Sequence, residues 1–318
     1  MKTILLIGVG QLGCRHLEGL VTSSTPLVIH AVDMSLESIN LAKSRWQSFG
    51  EKTNNHKIFW NNTLPCNLDF FDVCIISSTS TKRASLVQQI SKCYLVNYWI
   101  LEKVLAQSSG ELSHIESILM NAKGAWVNTP WRSMLLYKSL KKAINGNYPL
   151  KISFSGSDLG IACNSIHFID LTTWMSGESL LLIDTSLVDN SWFESKRKGY
   201  FDVCGKLTAK FSGGTLLEIA DYNDNRKWLL KFELADKSNW EFDYSKSRAV
   251  SSNGDIILGK VDFQSQMTGP LVEEILQCGQ CDLPSLKESI AIHTIFVESM
   301  LKHWNKSNNR EDCFVPIT

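Results

Sequence analysis

The amino-terminal third of the chain alternates continuous apolar runs with amphipathic segments of helical period. The apolar runs, which predict buried strands, are residues 3–8, 27–32, 57–60, 72–76 and 94–101. The amphipathic segments, which predict helices, are residues 12–21, 36–49, 83–91 and 112–122. Strands that are apolar throughout and that alternate with helices predict a parallel sheet covered on both faces.

Farther along the chain, the pattern changes to strict alternation of apolar and polar residues. This alternation covers residues 228–234 and 240–244, with a polar turn between them. Period-two patterning on both arms predicts an antiparallel hairpin with one solvent-exposed face. Helices are predicted at 133–144, at 167–175 and after Ser285, which has capping-box spacing to Glu288. The tail from Lys306 onward is predicted to pack loosely.

Composition and charge are those of an ordinary globular protein. The chain has 318 residues, of which 44% are hydrophobic and 20% are charged, and its length suggests roughly two domains. Its 32 basic and 32 acidic residues balance, so a nucleic-acid partner is not expected. No apolar window is long enough to predict a membrane span. Nine scattered cysteines indicate reduced thiols and a cytoplasmic location, and no metal is expected, because the CxxC at 278–281 lacks a second ligand pair.

A glycine-rich turn follows the first predicted strand. Gly8, Gly10 and Gly13 form a GxGxxG motif that opens an amphipathic helix. Gly8 permits a tight turn, Gly10 lets a pyrophosphate approach the backbone, and Gly13 lets helix and strand pack closely. The N–H groups at the helix start, at Gln11 and Leu12, can then bind the phosphates. In this context the motif predicts a dinucleotide-binding domain.

An acidic residue, Asp33, stands at the end of the second predicted strand. There its carboxylate can accept hydrogen bonds from both hydroxyls of an adenosine ribose. The carboxylate would also repel a 2′-phosphate, so NAD is favoured over NADP. Two other interpretations stay open. The glycines could mark an ordinary strand–helix turn with Asp33 capping a helix, or the domain could belong to an S-adenosylmethionine-dependent methyltransferase.

The fifth predicted strand ends on two charged residues, Glu102 and Lys103, just before a helix start. Ligands of open α/β sheets bind at the carboxyl ends of the strands. Hydride transfer at a carbinol carbon requires that the hydroxyl proton be taken up or supplied, and a lysine can do this. Neighbouring strand residues point to opposite faces, so only one of the two is expected to reach the substrate. The residues alone favour a surface lysine at a strand end; Lys103 becomes the catalytic candidate, and Glu102 a cofactor candidate, through the family resemblance described next.

Three motifs occur in an order that resembles the glucose–fructose oxidoreductase/inositol dehydrogenase/MocA (Gfo/Idh/MocA) family. They are GVGQLG, the sequence Leu-Glu-Lys at 101–103, and SIHFIDLTTWMSG at 165–177. The resemblance covers essentially the whole chain. It implies an α/β fold with an amino-terminal Rossmann dinucleotide-binding domain at 1–123. It also implies a carboxy-terminal α+β domain at 124–318, with an open, mainly antiparallel sheet that binds substrate and often forms an oligomer interface.

The resemblance also implies an activity and roles for particular side chains. The protein would be an NAD-dependent oxidoreductase acting on a sugar or sugar-nucleotide substrate, as a homodimer or homotetramer. Lys103 matches the lysine of the family's Glu-Lys-Pro signature, and His167 and Asp170 match its His-x-x-Asp. Ser78 and Thr79 are further cofactor candidates. The segment 127–144 resembles that of family members from surface-polysaccharide sugar clusters. The substrate candidates on this basis are Trp131, Arg132, Asn164 and Trp174.

Four departures separate this chain from the family pattern. Val104 replaces the proline of the signature, and Cys163 stands where many members have an aspartate. Trp174 stands where inositol dehydrogenase-like members have a second histidine, and residues 78–83 replace a proline-rich loop ending in histidine. An inositol dehydrogenase mechanism is therefore not assumed. The alternative is a non-catalytic NAD(H)-binding sensor or assembly protein that retains the fold.

Overall fold

The computed structural model describes residues 1–144, 146–222 and 224–318, and for Glu51 the backbone only. Two compact units emerge, and neither is continuous in sequence. The first unit comprises Met1–Leu105, Ser113–Asn128 and Asp262–Leu286. The second unit comprises Ala106–Leu112, Thr129–Val261 and Lys287–Thr318.

The helices and strands are numbered along the chain. The α-helices are α1 (Gln11–Leu20), α2 (Leu36–Ser48), α3 (Arg83–Cys93), α4 (Ser109–Leu119), α5 (Leu135–Ile144), α6 (Ile161–Ser176), α7 (Gln264–Cys278) and α8 (Leu286–Asn308). The strands of the first unit are β1 (Lys2–Ile7), β2 (Leu27–Val32), β3 (Lys57–Asn61), β4 (Phe70–Ile76), β5 (Leu95–Glu102) and β6 (Gly124–Asn128). The strands of the second unit are β7 (Lys151–Gly156), β8 (Leu180–Val188), β9 (Phe193–Glu194), β10 (Phe201–Asp202), β11 (Gly205–Phe211), β12 (Leu216–Asp221), β13 (Leu229–Glu233), β14 (Asn239–Asp243), β15 (Arg248–Ser251) and β16 (Ile256–Leu258).

The first unit is built on a six-stranded parallel sheet in the order β3-β2-β1-β4-β5-β6. This is the strand order of the dinucleotide-binding Rossmann fold, and it reverses between β1 and β4. The central strands are buried along their length, as the continuous apolar runs predict. The carboxyl ends of β1, β4 and β5 therefore meet at one edge, where ligands of this fold bind.

The second unit contains an eight-stranded sheet in the order β16-β15-β14-β13-β7-β12-β11-β8. All neighbours pair antiparallel except β7 and β12, which are parallel. The predicted hairpin is β13–β14, with Phe232 opposite Trp240, both buried. Helix α6 packs on β11 and β12, and α5 packs on β15 and β16. The predicted α/β fold class, with a parallel sheet and a second, mainly antiparallel one, is confirmed.

Three expectations about the second unit were wrong in detail. The helix predicted at 133–144 begins as a 3₁₀ turn at Pro130–Ser133, and α5 starts only after Met134, which is extended. Helix α6 starts at Ile161 instead of 167, because Asp202 accepts a hydrogen bond from the Ala162 N–H at 2.8 Å and so caps it from a distant strand. The end of the tail, residues 315–318, is packed and not loose. Val315 and Ile317 are fully buried, and the Val315 N–H donates to the Gln107 carbonyl at 3.0 Å.

Helix α7 was not predicted, although it belongs to the first unit. It packs against α1 at two glycines, since a Cβ on Gly269 would lie 2.5 Å from the Gly19 carbonyl oxygen. This close crossing brings polar residues of α7 next to α1. None of the helices within the described residues has the length together with the apolar composition that a membrane-spanning helix needs.

Candidate functional site

The glycine-rich turn lies at the carboxyl end of β1. Gly8 has φ +86°, a left-handed conformation that favours glycine. A Cβ on Gly13 would lie 1.9 Å from the Gly8 carbonyl oxygen, whereas a Cβ on Gly10 would meet nothing within 4 Å. The first turn of α1, which includes Gln11 and Leu12, carries no acidic side chain. The turn thus combines an open backbone at Gly10 with a helix amino terminus suited to phosphate.

Asp33 lies beside this turn, immediately after β2. Its Oδ2 accepts a hydrogen bond from the Val9 N–H at 2.8 Å, and its Oδ1 accepts one from the Ser35 N–H at 2.9 Å. An ionised carboxylate offers about four lone-pair positions, so both oxygens keep acceptor capacity for ribose hydroxyls. The structure therefore brings Asp33 together with the glycine motif, although they are separated in sequence.

The loop after β4 adjoins the same turn. The Ser77 hydroxyl donates to the Gly8 carbonyl at 2.6 Å, and the Ser78 N–H lies 3.1 Å from the position of a Cβ on Gly8. Thr79 leads from this contact into the 3₁₀ turn Ser80–Lys82. Ser77 was not a candidate in the sequence, because a serine at a strand end carries no signal of a contact with a distant turn.

Glu102, at the end of β5, is 3% exposed and lies in a closed ring of hydrogen bonds. Its Oε1 lies 2.9 Å from His16 Nε2 on α1 and accepts a hydrogen bond from the Asn128 side-chain amide on β6. Asn128 also donates to Gln264 Oε1 at 2.7 Å. Gln264 donates to the Thr268 hydroxyl at 2.9 Å, and that hydroxyl lies 3.0 Å from His16 Nδ1. The ring joins the end of β5 to α1, β6 and α7.

The electrostatic environment keeps the Glu102 carboxylate ionised. Burial by itself raises the pKa of Glu102, but hydrogen bonds from His16 and Asn128 and electrostatic interactions with His16 and Arg83 bring this pKa below its ordinary value. The contacts shown for the carboxylate are thus to His16 and Asn128. Its assignment to the cofactor stays a prediction. The sequence analysis missed His16, whose only signal is a histidine on the buried face of α1.

Lys103 follows Glu102 and is half-buried. The Lys103–Val104 peptide bond is cis. Arg83, which is 0% exposed, contacts the chain directly after the lysine. Its Nη1 donates to the Val104 carbonyl and, at 3.1 Å, to the Leu105 carbonyl, and its Nη2 donates to the Ser78 carbonyl. A buried guanidinium therefore connects the loop after β4 to the loop after β5.

In the second unit, His167 on α6 stacks against Trp131. The two rings are 7° from parallel with centroids 5.8 Å apart, and both residues are half-buried. Tyr137 also stacks against Trp131, with centroids 5.7 Å apart. Two residues predicted to bind or act on substrate are thus in direct contact, and the aromatic ring of Trp131 fixes the plane of the imidazole.

Arg132 and Asp170 form a buried ion pair. Arg132 Nε donates to Asp170 Oδ2 at 3.1 Å, and its Nη2 donates to Oδ1 in a bidentate arrangement. Arg132 Nη1 also donates to Glu288 at 3.3 Å. Burial raises the pKa of Asp170, and the charge of Arg132 opposes this effect. Asp170 is thus paired with Arg132, and Arg132 is paired with both Asp170 and Glu288. Their direct roles toward a substrate stay predictions.

The other two substrate candidates share a face of α6 with His167. Asn164, His167 and Trp174 are spaced by three and seven residues, and each is partly exposed. The Asn164 amide donates to the Leu159 carbonyl at 2.8 Å. The Lys141 ammonium lies 4.3 Å from the centroid of the Trp174 ring and donates to the Trp174 carbonyl at 2.6 Å. This face presents an amide, an imidazole and an indole. Groups of these kinds can form hydrogen bonds or stacking contacts with polyhydroxylated molecules in general.

Residues 1–144, 146–222 and 224–318 contain no group of three or more His, Cys, Asp or Glu side chains arranged to hold a metal ion. The CxxC cysteines, Cys278 and Cys281, are both thiols. Burial raises the pKa of Cys281 to about 12, so this thiol is protonated at neutral pH and is a weak ligand and nucleophile.

Comparison with known proteins locates the fold. No family model and no curated protein matches the sequence. A Gfo/Idh/MocA family oxidoreductase from Vibrio cholerae is similar in structure, with a TM-score of 0.70 and 14% identity over 98% of this chain and 100% of that one. The fold is that of Gfo/Idh/MocA oxidoreductases.

Two further solved structures with this fold are similar over nearly the whole chain. A myo-inositol dehydrogenase from Lactobacillus casei, in complex with NAD(H) and myo-inositol, has a TM-score of 0.68 and 14% identity over 98% of this chain and 96% of that one. A UDP-N-acetylglucosamine 3-dehydrogenase from Acidithiobacillus ferrooxidans has a TM-score of 0.68 and 10% identity over 94% of this chain and 96% of that one. The resemblance predicted from three short motifs is thereby confirmed at the level of the fold.

Proposed function

We propose that the chain is an NAD(H)-dependent oxidoreductase that transfers a hydride to or from a carbinol or carbonyl carbon of a sugar or sugar derivative. The observation that carries this proposal is the carboxyl edge of the parallel sheet. There Asp33 is hydrogen-bonded to the GxGxxG turn after β1, and Lys103 stands at the end of β5. A ribose-binding carboxylate, an open phosphate turn and a proton-transfer group on one sheet edge suit a nicotinamide dinucleotide.

In this proposal each part of the edge has a separate task. The backbone at Gly10 and the start of α1 hold the pyrophosphate, and Asp33 holds the adenosine ribose. Bound NAD supplies the hydride acceptor or donor. Lys103 takes the hydroxyl proton during oxidation and returns it during reduction. Ser78 and Thr79 line the cofactor from the loop after β4.

The second unit is proposed to supply the side chains that bind the sugar. His167, held in plane by Trp131, orients or protonates a sugar oxygen. Asp170 holds Arg132 in an ion pair, and Arg132 follows Trp131 directly in the chain. Asn164 and Trp174 are the further candidates on α6. A substrate of the sugar or sugar-nucleotide class agrees with the activities named for the myo-inositol and UDP-N-acetylglucosamine dehydrogenases. We expect this substrate to be a precursor of surface glycans, because of the sequence resemblance of residues 127–144.

The proposed cofactor preference makes a testable prediction. NADH is expected to bind at least about tenfold more tightly than NADPH, because Asp33 accepts from ribose hydroxyls and repels a 2′-phosphate. Parallel fluorescence titrations measure both dissociation constants. Asp33→Ser should reduce the difference mainly by weakening NADH, whereas Glu116→Gln, which changes an exposed carboxylate of the same unit, should preserve it. Equal affinities in the unmodified protein would remove Asp33 as the selecting residue.

We further propose that the chain forms a homodimer or homotetramer through the open face of the second unit's sheet. This face carries ion pairs such as Lys231–Glu241, at 3.1 Å, among exposed apolar side chains. These apolar side chains are Leu182, Leu216, Leu229, Ile256 and Leu258. Leucines interspersed with both signs of charge suit a second copy of the same surface, related by a two-fold axis.

Sedimentation at micromolar concentration tests the oligomer. The unmodified chain is expected to sediment as a dimer or tetramer, and the double substitution Leu216→Glu and Leu229→Glu should shift it toward the monomer. Leu95→Glu changes an exposed leucine of the first unit and serves as the control. A monomer at this concentration in the unmodified protein would contradict the proposal.

A further inference from the structure

We infer that Arg83 is a positioning residue for Lys103. Its buried guanidinium ties the backbone that follows Lys103 to the loop after β4, which lies beside the glycine turn. This inference rests on the proposed function, in which Lys103 works next to the nicotinamide. Arg83 itself is 0% exposed, so it acts on Lys103 through the backbone and not on a ligand.

The contacts of Arg83 reach both loops at once. One nitrogen, Nη1, donates to the Val104 and Leu105 carbonyls, and the other, Nη2, donates to the Ser78 carbonyl. Guanidinium nitrogens form a rigid planar fork, so the two loops are held at a fixed separation. The strands that precede these loops, β4 and β5, are paired up to Ile76 and Leu101. We call these three hydrogen bonds of Arg83 the clamp. Together with the pairing of β4 and β5, the clamp connects the two loops on both sides of Lys103.

A second anchor lies on the other side of the lysine. Glu102 is tied by its side chain to His16 and Asn128. Lys103 is thus flanked by Glu102, fixed through its carboxylate, and by Val104, fixed through its carbonyl. The charge of Arg83 also acts on Glu102, whose pKa it helps to lower. The backbone at Lys103 consequently has little freedom, and the starting point of its side chain is set.

The same clamp relates the lysine to the cofactor turn. Ser78, which Arg83 holds, follows Ser77, whose hydroxyl donates to the Gly8 carbonyl at 2.6 Å. A continuous chain of contacts therefore runs from the glycine turn through Ser77, Ser78 and Arg83 to Val104. A displacement of about 1 Å in a reacting group can cost about 100-fold in rate. Burying a guanidinium costs free energy of desolvation. The positioning of Lys103 is a functional reason to keep Arg83 buried despite this cost.

Lysine labelling with acetic anhydride tests this inference without a known substrate. Mass spectrometry of the peptides measures the acetylation rate of Lys103 with and without saturating NADH, and exposed Lys92 of the same unit is the internal reference. In the unmodified protein, NADH is expected to slow the labelling of Lys103 about tenfold. In Arg83→Met this protection should fall to about twofold, because the lysine no longer sits beside the nicotinamide. The dissociation constant of NADH should rise by less than about fivefold, since the variant releases Ser78 but leaves Gly10 and Asp33 in place, and each variant is labelled at an NADH concentration that saturates it.

Two further variants complete the test. Arg45→Met removes an arginine of α2 whose ion pair with Glu18 spans 3.7 Å, and it should keep full protection of Lys103. Arg83→Lys keeps a buried positive charge but cannot span both loops with one nitrogen, so its protection should be intermediate. It replaces Arg83→Met if that variant does not fold. Lower stability alone would not change the protection of Lys103 against acetylation in a variant that is folded and saturated with NADH.

The outcomes separate this inference from the proposed function. Full NADH protection of Lys103 in a folded Arg83 variant overturns the positioning role and leaves the proposed function intact. No protection in the unmodified protein, or no binding of NADH, contradicts the place of Lys103 beside the nicotinamide, and the inference fails with it.

Discussion

Replacing Lys103 with methionine is expected to lower kcat by about 10²- to 10⁴-fold, the usual contribution of a positioned general acid or base. Methionine keeps most of the length of the side chain but cannot move a proton. Binding of NADH should stay nearly unchanged, because the residues proposed to hold the dinucleotide are the glycine turn and Asp33. Steady-state turnover and a fluorescence titration measure the two quantities on the same preparation.

The control for this substitution is Lys92→Met, which removes an exposed ammonium from α3. It should leave both turnover and NADH binding unchanged. If Lys103→Met turned over at the rate of the unmodified protein, the proton would have to move through another group, and the assignment of Lys103 would be withdrawn.

Gly13→Ala is expected to destabilise the fold by at least about 3 kcal/mol. Its Cβ would lie 1.9 Å from the Gly8 carbonyl oxygen, a backbone atom that cannot move away without opening the contact between α1 and β1. Chemical denaturation measures the loss as a lower midpoint with an unchanged slope. NADH binding should be lost as well, because the same shift distorts the turn.

Gly10→Ala is the matched variant. It adds the same methyl group at the position where the pyrophosphate is proposed to bind, away from any protein atom. A Cβ at Gly10 meets nothing within 4 Å, and its φ of −65° suits alanine. Stability should therefore change by less than about 1 kcal/mol. NADH affinity should fall about 10- to 100-fold, because hydrogen bonds to the charged pyrophosphate contribute about 1.5–3 kcal/mol. Normal NADH binding by Gly10→Ala would contradict the proposed path of the pyrophosphate.

Local patterns predicted most of the first unit because its elements depend on local chemistry. Continuous apolar runs identified five strands of the parallel sheet, and glycine spacing identified the turn after β1. Helix α7 escaped prediction, although Met267, Leu271 and Ile275 have helical spacing. Pro270 interrupts that pattern, and a proline inside a helix normally marks its end. The packed tail escaped for another reason, because only the folded chain brings Val315 to Gln107.

The side chains around Lys103 show what sequence patterns leave out. The ring joins His16 to Glu102, 86 positions away, and to Thr268, 252 positions away, and no local spacing marks such partners. An arginine at a helix start, such as Arg83, is usually exposed. Its burial follows from the convergence of carbonyls at 78, 104 and 105, which depends on the pairing of β4 with β5. The candidates themselves were found by spacing and resemblance, and their supports were found only in the structure.

Hydride transfer itself is the most direct test of the proposed oxidoreductase activity. Absorbance of the reduced nicotinamide is followed with NAD⁺ and a panel of myo-inositol, UDP-N-acetylglucosamine, other sugar nucleotides and uronic acids, and then with NADH and the corresponding keto compounds. We expect turnover with at least one of these compounds and loss of this turnover in Lys103→Met. Tight binding of NADH without turnover of any compound in either direction would contradict the proposed activity, and would favour a non-catalytic NAD(H)-binding protein.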